Sequence, residues 1–295
     1  MSTLVCIPAF NEEKIIGKIV KECLKYSDQV VVCDDGSIDK TFEEAELAGA
    51  ICLKHKKNLG KGAALRSLFN YAKNNNFDII VTIDGDGQFL PEEIPKLKKL
   101  VENNSVDIVI GNRFSDISEM PNYRKFGNKI LDRMTNLASE LSIEDSQSGY
   151  RAYSKKSIEE IKFDINGFGS DAEILIDAAK KGFRISEEKV KVIYNTGMKT
   201  STKNPIHHSG EVITSLLEII AIKSPLKFMG IPGAILLVIG IIFAINVVSV
   251  FNETSYFSIA FTLAGITFFV VGSMLVLIAV LLYSISRIST KNQTD

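Results

Sequence analysis

Over the first two hundred residues, short runs of branched apolar side chains alternate with stretches in which apolar residues recur every three or four positions. Leu4–Ile7, Val30–Cys33, Ile51–His55, Ile79–Ile83 and Val106–Ile110 are apolar, or nearly so, from end to end. Such runs suit strands of a parallel sheet that is covered on both faces. Between them, Glu13–Tyr26, Lys40–Ala48, Lys61–Lys73 and Pro91–Asn103 are amphipathic and predict helices. Pro91 falls where a helix opens, and Asn74–Asn76 where one closes. The βαβαβαβαβ order predicts an α/β domain with a mostly parallel sheet and right-handed crossovers. Ligands in such folds bind beyond the carboxyl ends of the strands. Polar residues cluster at those ends of this sequence.

The pattern changes near residue 227. Between Phe228 and Ser286 the only charged residue is Glu253. Phe228–Phe251 and Phe257–Ile285 are each long enough for the ~20 residues that cross ~30 Å of hydrocarbon. The link Asn252–Tyr256 is polar and free of Lys and Arg. Two charge-free spans of this length favour a membrane hairpin over a pair of buried core helices. Lys223 and Lys227 precede the first span, and Arg287 and Lys291 follow the second. That asymmetry predicts that the preceding domain and the C-terminus are cytoplasmic. The expected organisation is a catalytic domain over 1–205, an amphipathic interfacial helix within 206–226, two transmembrane helices over 227–286 and a tail over 287–295.

Composition narrows the picture only by exclusion. Lys and Arg number 34 against 35 Asp and Glu, so the chain carries no global nucleic-acid signature. The four cysteines, Cys6, Cys23, Cys33 and Cys52, form no CxxC pair or Cys/His cluster. They read as buried free thiols suited to a reducing compartment. The first strand begins within a few residues of Met1, so no cleavable signal peptide is expected.

Candidate chemistry lies at three strand ends. Ile79–Ile83 runs into Asp84-Gly85-Asp86-Gly87-Gln88. Residues two apart in an extended segment point the same way, so Asp84 and Asp86 can converge on a hard cation such as Mg²⁺ or Mn²⁺. An Asp-Gly turn without metal is the competing reading. The second strand ends in Asp34-Asp35-Gly36-Ser37, where carboxylates can accept from base N–H groups or ribose hydroxyls. Asp39 reads as a helix cap. The first strand ends in Pro8-Ala9-Phe10-Asn11-Glu12. No GxGxxG follows that strand, which argues against a dinucleotide-binding dehydrogenase.

In this order, PAFNE, DDGS, NLGKGAAL, DGDGQ, GNR and DSQSGYRAY resemble the family 2 glycosyltransferases of the GT-A fold. Among these the chain is most similar to dolichol-phosphate mannose synthases and polyprenyl-phosphate glycosyltransferases. The resemblance implies that Pro8, Phe10, Glu12, Asp34 and Asp35 line a nucleoside pocket. Asp84, Gly85, Asp86 and Gln88 match the metal and diphosphate site. Arg113 matches an arginine that contacts a donor or acceptor phosphate, a task that suits the guanidinium fork. Lys61, between Gly60 and Gly62, resembles a loop over the nucleotide, or is a solvated lysine at a helix start. Asp171 and Glu173 occupy the neighbourhood of an acidic catalytic residue, and read equally as ordinary acids of a helix N-terminus.

Lys125, Lys129 and Arg133 fall at i, i+4 and i+8 beside Phe126, Ile130, Met134 and Leu137. This stripe suits either a membrane surface holding a lipid phosphate or packing against the chain's own sheet. The segment after the last strand departs from the family pattern. Asn195 stands where an arginine is expected, and Lys199 or Lys203 would take over its charge. The Q/RxxRW motif of processive synthases is absent. The function implied is inverting transfer of one sugar from a nucleotide-sugar to dolichyl or polyprenyl phosphate at a lipid bilayer. The alternatives are another membrane acceptor or an inactive binding subunit. The sequence leaves the sugar, the base and the oligomeric state open.

Overall fold

The computed structural model describes residues 1–103, 105–114, 122–164, 169–193 and 225–291, with side chains for all of these except 122–127 and 286–291. The chain forms two compact units, Met1–Leu216 and Leu217–Asp295.

The first unit is a sheet with helices on both faces. In chain order its elements are β1 Thr3–Ala9, α1 Ile16–Cys23, β2 Gln29–Asp34, α2 Thr41–Leu47, β3 Ile51–Lys54, α3 Lys61–Asn75 and β4 Ile79–Thr82. There follow α4 Ile94–Glu102, β5 Ile108–Asn112, α5 Asn122–Ser139, β6 Arg151–Ser154, α6 Lys155–Glu160, α7 Ser170–Lys180 and β7 Ile185–Lys189. The seven strands run β3-β2-β1-β4-β6-β5-β7. All neighbours are parallel except β6, which is antiparallel to both β4 and β5.

Alternation along β1 explains the two layers. Val5 and Ile7 pack with Ile16, Ile19 and Val20 of α1 and Ile94 and Leu97 of α4. Leu4 and Cys6 face the other way, onto Leu65, Leu68 and Phe69 of α3. A strand with two buried faces needs apolar residues at every position, which is why these runs showed no polar alternation. Asn76 closes α3 in the left-handed conformation at φ 59°, a role that asparagine tolerates.

The antiparallel β6 is the main departure from the predicted order. Its sequence, Arg-Ala-Tyr-Ser, opens on a charged residue, yet Arg151 is fully buried. The guanidinium donates to the carbonyls of Ser146, Ser148 and Asp171 at 2.8–2.9 Å. These bonds replace the water it gives up. The strand also supplies register: Thr82 of β4 lies opposite Arg151, which brings the residues before Arg151 beside the end of β4.

The second unit holds a π-helical turn at Leu226–Gly230, α8 Ile231–Thr254 and α9 Ile259–Lys291. The segments Leu226–Thr254 and Ile259–Ile285 are long and apolar enough to cross a membrane, with few residues buried inside the protein. Ser255, at φ 57°, turns the chain between them. The helices touch through glycine. A Cβ at Gly240 would lie 2.6 Å from the Phe269 nitrogen, and one at Gly272 would lie 2.6 Å from the Leu237 nitrogen. Backbone therefore rests directly on backbone, the packing that membrane helices favour.

Candidate active site

The loops beyond β1, β2 and β4 form one laced edge. Asn11 takes the left-handed conformation at φ 58°, a shape open to asparagine because its short amide bonds locally. The Ser37 hydroxyl accepts from the Asn11 N–H, and Asn11 Oδ1 accepts from the Ile38 N–H. Thr41 Oγ1 accepts from the Glu12 N–H at 2.7 Å, and Asp39 Oδ2 accepts from the Glu13 N–H. Asp39 also accepts from the Thr41 N–H at 3.0 Å, but the cap position of α2 falls on Lys40, so Asp39 is not the helix cap that the sequence suggested. These bonds fix the backbone at Glu12, whose carboxyl feels the charges of Asp86, Asp39 and Asp84.

The two acids at the end of β2 differ. Asp35 is saturated by the protein: His55 Nδ1 lies 2.7 Å away, and the Leu59 and Gly60 N–H groups donate to it at 3.0 and 2.7 Å. Its neighbour Gly36 has φ 76°, and a Cβ there would strike the Lys57 backbone. Together they seat the segment that leads into α3. Asp34 is fully buried. Its Oδ1 accepts from the Ser37 N–H at 2.9 Å, whereas Oδ2 has no hydrogen-bond partner among the described residues and lies 3.8 Å from Lys54 Nζ. That oxygen is closed off from solvent, and Lys54 answers its charge.

Beyond β4, a Cβ at Gly85 would lie 3.1 Å from the Pro8 carbonyl. Gly87 turns at φ 73°, and Asp86 Oδ1 accepts from the Gln88 N–H at 3.0 Å. The Asp86 carboxyl is raised to about 6: burial and then Asp84 push it up, while the Gln88 N–H, Lys61 and Arg113 pull it back. Glu12 is raised to about 8, by burial and then by Asp86, Asp39 and Asp84. Acids that raise one another's hold on a proton would hold a divalent cation for the same reason. Among the described residues no three His, Cys, Asp or Glu side chains form a complete metal cage. Asp84 and Asp86 therefore fit a cation that takes its remaining oxygens from a phosphate ligand and water.

Lys61 reaches into this edge from the first residue of α3. Its ammonium lies 2.9 Å from both Asp84 Oδ1 and Asp171 Oδ2. Burial alone would lower its pKa, yet Asp171 and Asp84 hold it above the ordinary lysine value. A Cβ at Gly149 would lie 2.5 Å from Lys61 Nζ and 2.6 Å from each Asp84 oxygen. A side chain there would have to push the ends of Lys61 and Asp84 aside where the chain before β6 passes the ion pair. Asp171 is also backed by Arg151, whose guanidinium bonds its carbonyl. Glu173 is nearly buried and accepts from the Asp164 N–H at 3.0 Å. Both acids predicted near the catalytic position have protein partners.

Arg113 follows β5. Asp145 accepts from its Nε, Nη2 and backbone N–H at 2.8, 2.7 and 2.9 Å. Glu187 Oε1 accepts in turn from the Asp145 N–H. Behind this pair, Asp132 of α5 accepts from the Ser146 N–H and hydroxyl, and burial raises its carboxyl to about 7.

The expected acceptor residues are less gathered. Lys129 and Arg133 are exposed on α5, one and two turns before the 61 % exposed Leu137. The Lys125 side chain, Lys199, Asn195 and the segment 206–224 lie outside the described residues. Sequence reading missed Asp145, Gly149 and Arg151; the signal available was a pair of charges bracketing glycine in DSQSGYR.

The carboxyl edge of the parallel sheet thus gathers Glu12, Asp84, Asp86 and Asp171 about the ammonium of Lys61. Residues 4–162, more than half of the chain, match the model of glycosyl transferase family 2, and the chain belongs to that family. It is 33 % identical over 211 residues to the UDP-N-acetylglucosamine–dolichyl-phosphate N-acetylglucosaminyltransferase of Methanococcus voltae, spanning 64 % of this chain and 84 % of that one. It is 31 % identical over 186 residues to the dolichyl-phosphate hexose transferase of Haloferax volcanii, spanning 62 % and 79 %. Among solved structures, glucosyl-3-phosphoglycerate synthase of Mycobacterium tuberculosis, in complex with Mn²⁺, UDP and phosphoglyceric acid, aligns with a TM-score of 0.58. That alignment has 22 % identity and covers 74 % of this chain and 78 % of that one. The α/β unit has the GT-A fold.

Proposed function

We propose that the chain transfers one sugar from a nucleotide-sugar to dolichyl or polyprenyl phosphate, giving a lipid-linked monosaccharide with inversion at the anomeric carbon. The observation that carries this reading is the laced edge in which Glu12, Asp34, Lys61, Asp84 and Asp86 converge, in a chain that also has two span-length apolar helices. The dolichyl-phosphate names of the two relatives support the acceptor. Asp34, Pro8 and Phe10, at and just beyond the ends of β2 and β1, would line the nucleoside side of the pocket. Asp35 serves the pocket through the loop it seats.

Asp84 and Asp86, with Gln88 beside them, would hold Mg²⁺ or Mn²⁺ together with the donor diphosphate. When bound, such an ion supplies Lewis-acid stabilisation to the leaving nucleoside diphosphate. Arg113, held in place by Asp145, would bring its guanidinium to a donor or acceptor phosphate. A lipid phosphate is already anionic at neutral pH, so its oxygen attacks the anomeric carbon without a base while the bond to the diphosphate breaks. Asp171 and Glu173 then act as orienting groups, through Lys61 and the Asp164 backbone. Lys125, Lys129, Arg133 and Lys199 would draw the acceptor phosphate to the membrane surface. The helices would cross the bilayer, with the α/β unit and the C-terminus on the cytoplasmic side.

The test is a panel of radiolabelled GDP- and UDP-sugars incubated with the full chain and a short polyprenyl phosphate. Label from one donor should enter the organic phase as an acid-labile lipid phosphosugar. Label recovered only in other glycolipids would replace the acceptor, and no transfer from any donor would refute the reading.

A further inference from the structure

Lys61 stands where the charges of the edge meet, and its place does not depend on a ligand. Asp35 accepts from the Leu59 and Gly60 N–H groups, and α3 starts at Lys61 itself. The two carboxylates that share its ammonium are not equivalent. Asp171 is 6 % exposed and Asp84 is 26 % exposed. Asp171 is backed by Arg151, and a buried acid of that kind cannot lose its cation without heavy cost. Asp84 faces the open side. One partner is permanent and the other exchangeable.

We infer that Lys61 is the resident counter-ion of the donor site. In the donor-free protein it neutralises Asp84 and so keeps a divalent cation from binding there until a nucleoside diphosphate arrives. The inference rests on the reading in which Asp84 and Asp86 hold that cation with the diphosphate. A divalent ion drawn to Asp84 meets a fixed positive charge already within ion-pair distance of the same carboxylate. Like charges repel steeply at a few ångströms in partly buried surroundings. On the side of Gly149 the ammonium has main chain against it, where even a Cβ would come within 2.5 Å. A diphosphate reverses the balance, because its oxygens serve both the metal and the lysine. Lys61 keeps Asp171 throughout, so no buried carboxylate is left unpaired. Donor and metal therefore bind as a unit.

The experiment titrates the full-length protein in detergent with MnCl₂, alone and with UDP or GDP, reading free Mn²⁺ by electron paramagnetic resonance. The variants are Lys61→Met, Lys61→Arg and the double Lys61→Met/Asp171→Asn, which removes both halves of the inner pair and spares the fold an unpaired acid. Wild type should take up Mn²⁺ about tenfold more tightly with one nucleotide than without. The Met variants should bind Mn²⁺ alone about tenfold more tightly than wild type, with Lys61→Arg unchanged and added Asp84→Asn cancelling the gain. Unchanged or weaker affinity in the double variant, with nucleotide-dependent uptake by wild type intact, overturns the counter-ion role and leaves the donor reading standing. Wild type that binds Mn²⁺ equally well without nucleotide overturns it too. Wild type that takes up no Mn²⁺ with either nucleotide brings down the donor–metal reading and the inference together.

Discussion

The two units of this chain are held by opposite means. The carboxyl edge of the sheet is fixed by side chains that reach across the sequence: Lys61 to Asp171, Arg113 to Asp145, Asp35 to the Leu59 and Gly60 amides. The C-terminal hairpin is fixed by the lack of side chains, with Gly240 and Gly272 letting one backbone lie on the other. Where water is excluded by protein, charge placed in pairs gives direction and chemistry. Among apolar helices there is no such currency, and close approach of the backbones supplies the attraction. Damage to the edge should therefore appear first in activity, and damage to the seam first in stability.

The largest effect expected is on activity. Asp86→Ala should lower sugar transfer by roughly 100-fold or more, while the melting temperature holds or rises because a buried charge is gone. Transfer at the wild-type rate would remove Asp86 from the donor site. The converse case is Gly272→Leu, which forces a side chain into the Leu237 backbone. A loss of about 1–3 kcal/mol is expected, read as a lower melting temperature in detergent, with kcat little changed in the protein that remains folded. An unchanged melting temperature would show that the seam is not the attachment.

Gly149→Ala tests the glycine that lies against the Lys61–Asp84 ion pair. The added methyl meets Lys61 Nζ and both Asp84 oxygens, and a misplacement of that kind is expected to cost about 10- to 100-fold in kcat/KM. Activity within twofold of wild type would mean that the ion pair shifts freely. The smallest effect is on pH dependence. Asp132 has its carboxyl raised from 3.8 to about 7, so the folded protein holds a proton that the unfolded chain releases. Its contribution is full below about 3.8 and is lost as pH rises toward 7. Asp132→Asn should flatten the fall of melting temperature across that window. The hairpin cannot imitate this effect, since Glu253 is the only charged residue between Phe228 and Ser286. An unaltered slope would assign the pH dependence elsewhere.

How much of this was legible in the sequence follows the same division. β1, β2 and β4 announce themselves because both of their faces are buried, and the hairpin because two long spans lack charge. The convergence of three polar strand ends follows from a parallel sheet. The strand β6 was hidden, since a four-residue run opening on arginine has no periodicity to read and its burial depends on carbonyls from elsewhere. The partners of Lys61 and Arg113 were equally silent: Asp171 lies 110 residues on and Asp145 lies 32. Local pattern fixes which face a residue takes, and only tertiary closure decides which charge it meets. Asp35 reads as a nucleoside ligand by position, and what local pattern could not show is that its oxygens also accept from the Leu59 and Gly60 N–H groups leading into Lys61.

The Arg113–Asp145 clasp has a bearing on how such proteins diversify. It pins the two ends of everything between β5 and β6, an excursion that contains α5 and its exposed basic face. The clasp fixes where this stretch leaves and rejoins the sheet, while Asp132 ties α5 itself to Ser146. Grafting residues 114–144 from one relative into another would thus have to keep an acid at Asp132, because the Ser146 whose carbonyl holds Arg151 leans on it from across the graft boundary.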